Sequence, residues 1–256
     1  MRSIISRQGG KARLYKYLIP MFPKHTHYAE VFGGAGWCLI NKPEVCIEIF
    51  NDIDTNLINL FRVLRDFPGE FVNRYRYELV SRKSFDEYKK IEFNKLPPID
   101  RAVAWYYVYY NSFVGDMSTF ILRKYQTNPN RFISRLPKLV ENFANRFTNV
   151  IIEDIDFRDF FKKYNTKDFF FYLDPPYYGT AGYEVPFVEQ DHIDLSNCLQ
   201  TFKGRFLLTY NDHPTIRALY KGFTIKNITQ AYQAANRPSS YIGKSNTGRQ
   251  IIIKNY

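Results

Sequence analysis

Phe169-Phe170-Phe171-Tyr172-Leu173-Asp174-Pro175-Pro176-Tyr177 runs from five consecutive apolar residues into an acid, two prolines and an aromatic ring. A strand that is apolar at every position, rather than at alternate ones, suits a sheet covered on both faces. The same signal recurs along the chain. Residues 28–50 read as apolar strand, glycine turn, helix and a second strand, Val45-Cys46-Ile47-Glu48-Ile49-Phe50. Val150-Ile151-Ile152 leads into a polar, helix-like stretch, and Arg205-Phe206-Leu207-Leu208-Thr209 and residues 251–255 add further strands. Apolar strands separated by helical segments predict an α/β domain built on a mostly parallel sheet.

The middle of the chain differs. Over roughly 56–149, Leu57, Leu60, Phe61 and Leu64 recur at helical spacing, as do Ala102, Trp105, Tyr106 and Tyr109. Clear β-branched runs are missing there, and Arg, Lys and Tyr are dense. This stretch is expected to be a helical insertion in the α/β domain. The division is then 1–58 and 150–256 for the two parts of that domain, and 59–149 for the insertion.

Composition narrows the partners. Lys and Arg outnumber Asp and Glu by 36 to 25, a net charge of +11, and aromatic residues make up 18% of the 256 residues. A basic surplus favours polyanions, because each phosphate contact releases condensed counterions. Basic residues interleaved with rings suit a surface that grips phosphates and stacks bases. No stretch approaches the roughly 18–20 apolar residues that span a bilayer, and Met1–Arg7 is too short and polar for a secretory signal. Cys38, Cys46 and Cys198 are odd in number and widely spaced, which fits a reducing compartment better than a disulfide framework or a zinc site. His25 and His27 have no acid or Cys companion at useful spacing, so no metal is expected.

Three segments carry chemistry. In Glu30-Val31-Phe32-Gly33-Gly34-Ala35-Gly36 a strand ends in close-set glycines and opens a helix, which lets a ligand approach the backbone. A third glycine at dinucleotide-fingerprint spacing is missing, and a tight structural turn is the competing reading. Asp52 follows the next strand, 16 residues beyond Gly36, where an acid can accept hydrogen bonds from ribose hydroxyls or simply cap a helix. The third segment is Asp174-Pro175-Pro176-Tyr177. Two prolines offer no N–H and restrict the chain, leaving the local carbonyls free and rigidly aimed. An amino group such as adenine N6 carries two hydrogens; Asp174 can accept one and the Pro175 carbonyl the other, while Tyr177 stacks on a base that has left the helix. A rigid surface turn is the alternative.

These segments, in this order, resemble the Dam-type DNA adenine methylases, also called class D12 or group α amino-methyltransferases. The glycine turn Phe32–Gly36, Asp52 and Asp174–Tyr177 all find counterparts in that family. So do Gln8-Gly9-Gly10-Lys11, Asp156-Phe157, Phe187 with Asp191-His192, the strand end Leu207–Asp212 and the terminal Asn255-Tyr256. The resemblance covers about 1–58 and 150–256. It implies a Rossmann-like S-adenosylmethionine-dependent methyltransferase fold with a helical target-recognition insertion. It also implies methyl transfer to N6 of an adenine flipped out of double-stranded DNA into a pocket formed by Asp174, Pro175, Pro176 and Tyr177. Cofactor contacts would come from Gln8, Lys11, Phe32, Gly33, Gly34, Gly36, Asp52, Asp156, Phe157 and Asp174.

Two departures stand out. The GATC-specific members carry an Asn-Arg-x-Gly-x-Asn-Gly-like stretch in the insertion. Here Tyr110-Asn111-Ser112-Phe113-Val114-Gly115 has Ser112 at the arginine's place, although Arg to guanine is the commonest specific base contact. Tyr210-Asn211 also replaces Ser-Asn. Candidate DNA contacts are Asn111, Ser112, Arg101, Arg123, Lys124 and Arg131, with Arg135 beside them. The resulting expectation is a monomeric, cytoplasmic DNA methyltransferase of a bacterial or phage-infected cell, compatible with restriction-modification. A catalytically silent DNA-binding relative and an RNA or cytosine-N4 amino-methyltransferase remain as alternatives. A glycine-loop NTPase is excluded, since no Gly-Lys-Ser/Thr follows the turn.

Overall fold

The computed structural model describes residues 1–5, 11–12, 14–121, 134–180, 186–228 and 249–256. The chain forms two compact units. One comprises residues 1–12, 34–42 and 54–154; the other comprises 13–33, 43–53 and 155–256.

The second unit holds the sheet. Its strands are β1 (His27–Glu30), β2 (Ile47–Asn51), β4 (Phe169–Leu173), β5 (Arg205–Asn211), β6 (Thr224–Asn227) and β7 (Gln250–Lys254). The label β3 belongs to Val150–Glu153 of the first unit. The six strands stand side by side in the order β2-β1-β4-β5-β7-β6. β1 pairs in parallel with both β2 and β4, aligning Ala29 with Ile49 and with Phe171, and β4 pairs in parallel with β5. β7 runs antiparallel to β5 and β6. This is a Rossmann-like α/β sheet with an antiparallel hairpin at one edge.

The apolar strands are buried on both faces, as the missing alternation predicts. Ala29, Val31, Ile49, Phe171, Leu173, Phe206, Leu208, Ile251 and Ile253 enter one core with residues of α8 (Phe157–Tyr164), α9 (Glu189–Gln200) and α10 (Pro214–Leu219). On the opposite face Tyr28 and Phe170 pack with Phe22 and His25, just after the short helix α1 (Tyr15–Leu18). Among the described residues, β6 is the one strand that the sequence pattern did not reveal. Its burial is slight, because as the outermost strand of this edge it is covered by little besides β7.

The first unit is helical: α2 (Trp37–Asn41), α3 (Thr55–Asp66), α4 (Pro68–Tyr75), α5 (Arg82–Tyr88), α6 (Pro98–Tyr110) and α7 (Leu136–Phe147), followed by β3. α3 buries the predicted Leu57, Leu60, Phe61 and Leu64 stripe. Phe61 meets Phe143 and Phe147 of α7 edge-on at 4.8 and 5.5 Å. In α6 the burial extends past the predicted stripe to every residue from Ala102 to Tyr109. α3, α4 and α5 all pack on this helix, and a helix enclosed on all sides is apolar all round. Arg62 ties α3 to the strand after α7, bonding both oxygens of Asp154 at 3.0 and 3.2 Å and the Ile152 carbonyl. No helix among the described residues is long and apolar enough to cross a membrane.

Asp54 starts α3 by accepting the Asn56 and Leu57 N–H groups, each at 3.0 Å. Asp54→Ala leaves both donors without that partner and is expected to cost about 1–2 kcal/mol, read from urea denaturation.

Candidate active site

Parallel strands leave their loops at one end, and a crevice opens where the strand order reverses. Here the reversal lies between β1 and β4: the chain steps from β1 outward to β2, then returns to β4 on the other side. The Val31 N–H still bonds the Tyr172 carbonyl at 3.2 Å, extending the ladder to the edge of this crevice. Beyond it, the loops need other partners.

Asn51 supplies them. It is almost wholly buried at the end of β2. Its amide nitrogen donates to the Val31 carbonyl at 2.9 Å and to the Ile155 carbonyl at 3.0 Å, and its oxygen accepts the Ile155 N–H at 3.1 Å. Its own carbonyl accepts the Gly33 N–H at 2.7 Å. One side chain thereby fixes the turns after β1 and β2 and the entry to α8. At Gly33 a side chain is excluded by packing, since a Cβ there would sit 2.3 Å from the Phe50 ring.

The loop after β4 is held from β5. The Thr209 hydroxyl donates to Asp174 Oδ1 at 2.8 Å and lies 3.3 Å from the Leu173 carbonyl. Asn211 grips the backbone of Tyr178 twice, accepting its N–H at 3.1 Å and donating to its carbonyl at 2.9 Å. Between them, the Tyr210 ring stacks on the Tyr177 ring, centroids 5.9 Å apart and 28° from parallel. The Tyr210 hydroxyl is hydrogen bonded to Nδ1 of the buried His192. Three consecutive residues of one strand thus set the acid, the ring and the exit of the Asp174–Tyr178 loop.

A second group lies at the start of α8. Asp156 caps that helix, accepting the Arg158 N–H at 2.8 Å. The Arg158 guanidinium joins Asp156 to Asp194 at 2.7 Å and to Asp191 at the start of α9. Burial disfavours this charge, but hydrogen bonds to Asp191, Asp194 and Asp156 outweigh it and raise the pKa above the ordinary arginine value. Beside it, the rings of Phe32, Phe157 and Phe187 meet pairwise at 5.7–5.8 Å. Phe32 and Phe187 are only partly buried, so they leave apolar ring surface open to a flat ligand. Asp52 stands directly after β2. Open ring surface and an acid at a strand's carboxyl end fit the adenosine part of a cofactor.

The remaining expected residues fall as follows. Gly34 and Gly36 have φ of 51° and 65°, conformations that favour glycine, and nothing lies within 4 Å of the Cβ position at Gly34. Lys11 is buried. Gln8, Arg123, Lys124 and Arg131 lie outside the described residues. Arg101 bonds Asn56 at 2.9 Å and Thr55 at 2.8 Å, tying the start of α6 to α3. Asn111 and Ser112 are buried, donating to the Tyr107 and Tyr109 carbonyls, and Ser112 also accepts the Met117 N–H. These two side chains shape a turn on which Phe113 is exposed. Arg135 is exposed immediately before α7. Among the described residues, no group of three or more His, Cys, Asp or Glu side chains is placed to hold a metal ion. Asn51 and Thr209 are the site residues that sequence reasoning left without a role; the available signal was a polar residue at the end of an otherwise apolar strand.

The Asp174–Tyr177 loop thus stands at the end of a Rossmann-like sheet, beside its switch point. The family model for the D12 class N6 adenine-specific DNA methyltransferases matches residues 8–234, and the chain belongs to that family. It is therefore an enzyme acting on DNA. Among its relatives, the Type II methyltransferase M.CviBI of Paramecium bursaria Chlorella virus NC1A is 25% identical, with all of both chains covered. The Type II methyltransferase M1.LlaDCHI of Lactococcus lactis subsp. cremoris is 27% identical, covering all of this chain and 96% of the relative. Among solved structures, the rRNA methyltransferase aviRa of Streptomyces viridochromogenes aligns with a TM-score of 0.36 and 11% identity, over 94% of this chain and 81% of the other.

Asn51→Ala removes three buried side-chain hydrogen bonds and should lower stability by about 3 kcal/mol, measured by urea unfolding. Burial also holds the His192 imidazole below its ordinary pKa of 6.5, against the pull of Asp191 and Glu189. As pH falls past that value the unfolded chain takes up the proton more readily than the folded one, so stability drops on acidification. In His192→Gln the fall in urea midpoint between about pH 7 and about pH 5 should be smaller than in the parent.

Proposed function

We propose that Asp174-Pro175-Pro176-Tyr177 is the catalytic loop of adenine N6 methylation, acting on a base flipped out of double-stranded DNA. The supporting observation is the fixed geometry of that loop: its acid, ring and backbone are each tied to β5, beside the switch point where α/β sheets bind ligands. S-adenosylmethionine, when bound, supplies a methyl group activated by its sulfonium charge. Asp52 would hold the ribose hydroxyls, while Phe32, Phe157 and Asp156 would receive the adenine ring of the cofactor. Gln8, Lys11, Gly33, Gly34 and Gly36 complete the expected cofactor set.

The residues of the loop then divide the work. Asp174 accepts one hydrogen of the target amino group and the Pro175 carbonyl accepts the other, which orients the nitrogen toward the methyl group. Pro176 keeps the backbone rigid between them, and Tyr177 stacks on the extruded base. Once the amino nitrogen carries the methyl group, one of the two hydrogens held by Asp174 and the Pro175 carbonyl would leave as a proton to solvent. Orientation of this kind can supply on the order of 7–11 kcal/mol of the barrier.

Residues 59–149 serve as the target-recognition region. Asn111 and Ser112 give it shape from inside, so base contacts come from residues around them, and the GATC target of the arginine-bearing members does not carry over. Arg101, Arg123, Lys124 and Arg131 are candidates for phosphate contacts, which outnumber base contacts in protein–DNA interfaces. We further propose that the enzyme acts as a monomer in the cytoplasm without a metal; the type II designation of both relatives supports a role compatible with restriction-modification.

Long-read sequencing of unmethylated plasmid, treated with the protein and S-adenosylmethionine, should show N6-methyladenine at one short motif. Asp174→Ala should abolish the marks while DNA affinity stays within about threefold, as expected when an interaction made at the reacting centre is lost. Loss of DNA binding in that variant would contradict the assigned role. Marks on cytosine, on RNA alone, or none despite bound cofactor would favour the alternative readings.

A further inference from the structure

The hydroxyl of Thr209 has no evident place in the packing of its strand. β5 reads Arg205-Phe206-Leu207-Leu208-Thr209-Tyr210-Asn211, and its five central residues are buried. Thr209 is fully buried and sits opposite Ile252 of β7, an apolar setting in which valine would fill the same volume. A buried hydroxyl is tolerated only with a hydrogen-bond partner. Its good partner is the Asp174 carboxylate at 2.8 Å; the Leu173 carbonyl lies further off, at 3.3 Å.

Asp174 needs such a partner for a physical reason. The torsion that turns a carboxylate about its Cβ–Cγ bond has a broad, two-fold profile with no sharp minimum. Proline on its C-terminal side fixes the backbone of the loop but not this torsion. Thr209, in contrast, is β-branched, and its χ1 is stiff. It is anchored in a strand paired on both sides, to β4 and to β7. A hydrogen bond from a rigid donor to one carboxylate oxygen sets the plane of the other.

We propose that Thr209 is a positioning residue for methyl transfer, acting by holding the Asp174 carboxylate in the orientation that receives the target amino group. The proposal rests on the assignment of Asp174 to the reacting centre. A displacement of a reacting group by about 1 Å can cost on the order of 100-fold in rate, so a swinging carboxylate is costly even with every contact to cofactor and DNA intact. Asn211 and Tyr210 hold the backbone and the ring of the loop in place.

The test compares Thr209→Val with Thr209→Ser in single-turnover transfer of a radiolabelled methyl group from S-adenosylmethionine into unmethylated plasmid DNA. Dissociation constants for the cofactor and for plasmid DNA are measured alongside, with thermal midpoints. Thr209→Val should lower the transfer rate by about 10- to 100-fold, with both dissociation constants within about twofold. Thr209→Ser, which keeps the hydroxyl, should stay within about threefold of the parent rate. A Thr209→Val rate within twofold of the parent would overturn the proposal. So would equal loss in both variants, accompanied by weaker binding or a lowered thermal midpoint, because that pattern marks a packing role. Asp174→Asn serves as the control: if it transfers methyl groups at the parent rate, the assignment of Asp174 fails; if it is inactive while Thr209→Val is active, only the role of Thr209 fails.

Discussion

Where a parallel sheet ends, its backbone loses the ladder that satisfied it, and each buried N–H or C=O left without a partner costs about 1–3 kcal/mol. At the carboxyl end of β1 this constraint is met by Asn51. Its amide replaces missing ladder bonds to Val31 and Ile155, and its carbonyl takes the Gly33 N–H. The turn after β1 and the chain leading into Asp156 and α8 are both tied to that one residue.

The loop after β4 solves the same problem with the neighbouring strand. Asn211 substitutes for a ladder partner at Tyr178, and Thr209 and Tyr210 reach the carboxylate and the ring. Two asparagines, one on each side of the switch point, thus play equivalent parts. Each is the last residue of its strand, where the chain can offer a side-chain amide in place of a peptide group. The two prolines, having no N–H, need no partner of their own.

Charge is arranged on a different principle. Arg158 binds three carboxylates, Asp156, Asp191 and Asp194; the first two lie at the starts of α8 and α9, where negative charge is favoured. Without the arginine these acids would repel one another; with it they brace α8 against α9. Burial lowers the His192 pKa and so favours its neutral ring, whose Nδ1 is hydrogen bonded to the Tyr210 hydroxyl, tying the Tyr210–Tyr177 stack to α9.

Much of this was legible in the sequence. Five apolar residues in a row dictate a strand buried on both faces, and the Asp-Pro-Pro-Tyr and glycine segments follow from backbone chemistry that acts locally. The helical periodicity of Leu57–Leu64 and Ala102–Tyr109 likewise depends on residues a turn apart. What the sequence alone could not decide were relations between distant residues. That Asn51 reaches Ile155, that Thr209 faces Asp174, and that Arg101 bonds Asn56 depend on which strands and helices become neighbours. A polar side chain looks the same in sequence whether it points to solvent, to a ligand or to a buried carbonyl. Only the tertiary structure separates these, because the partner that settles the matter lies tens of residues away.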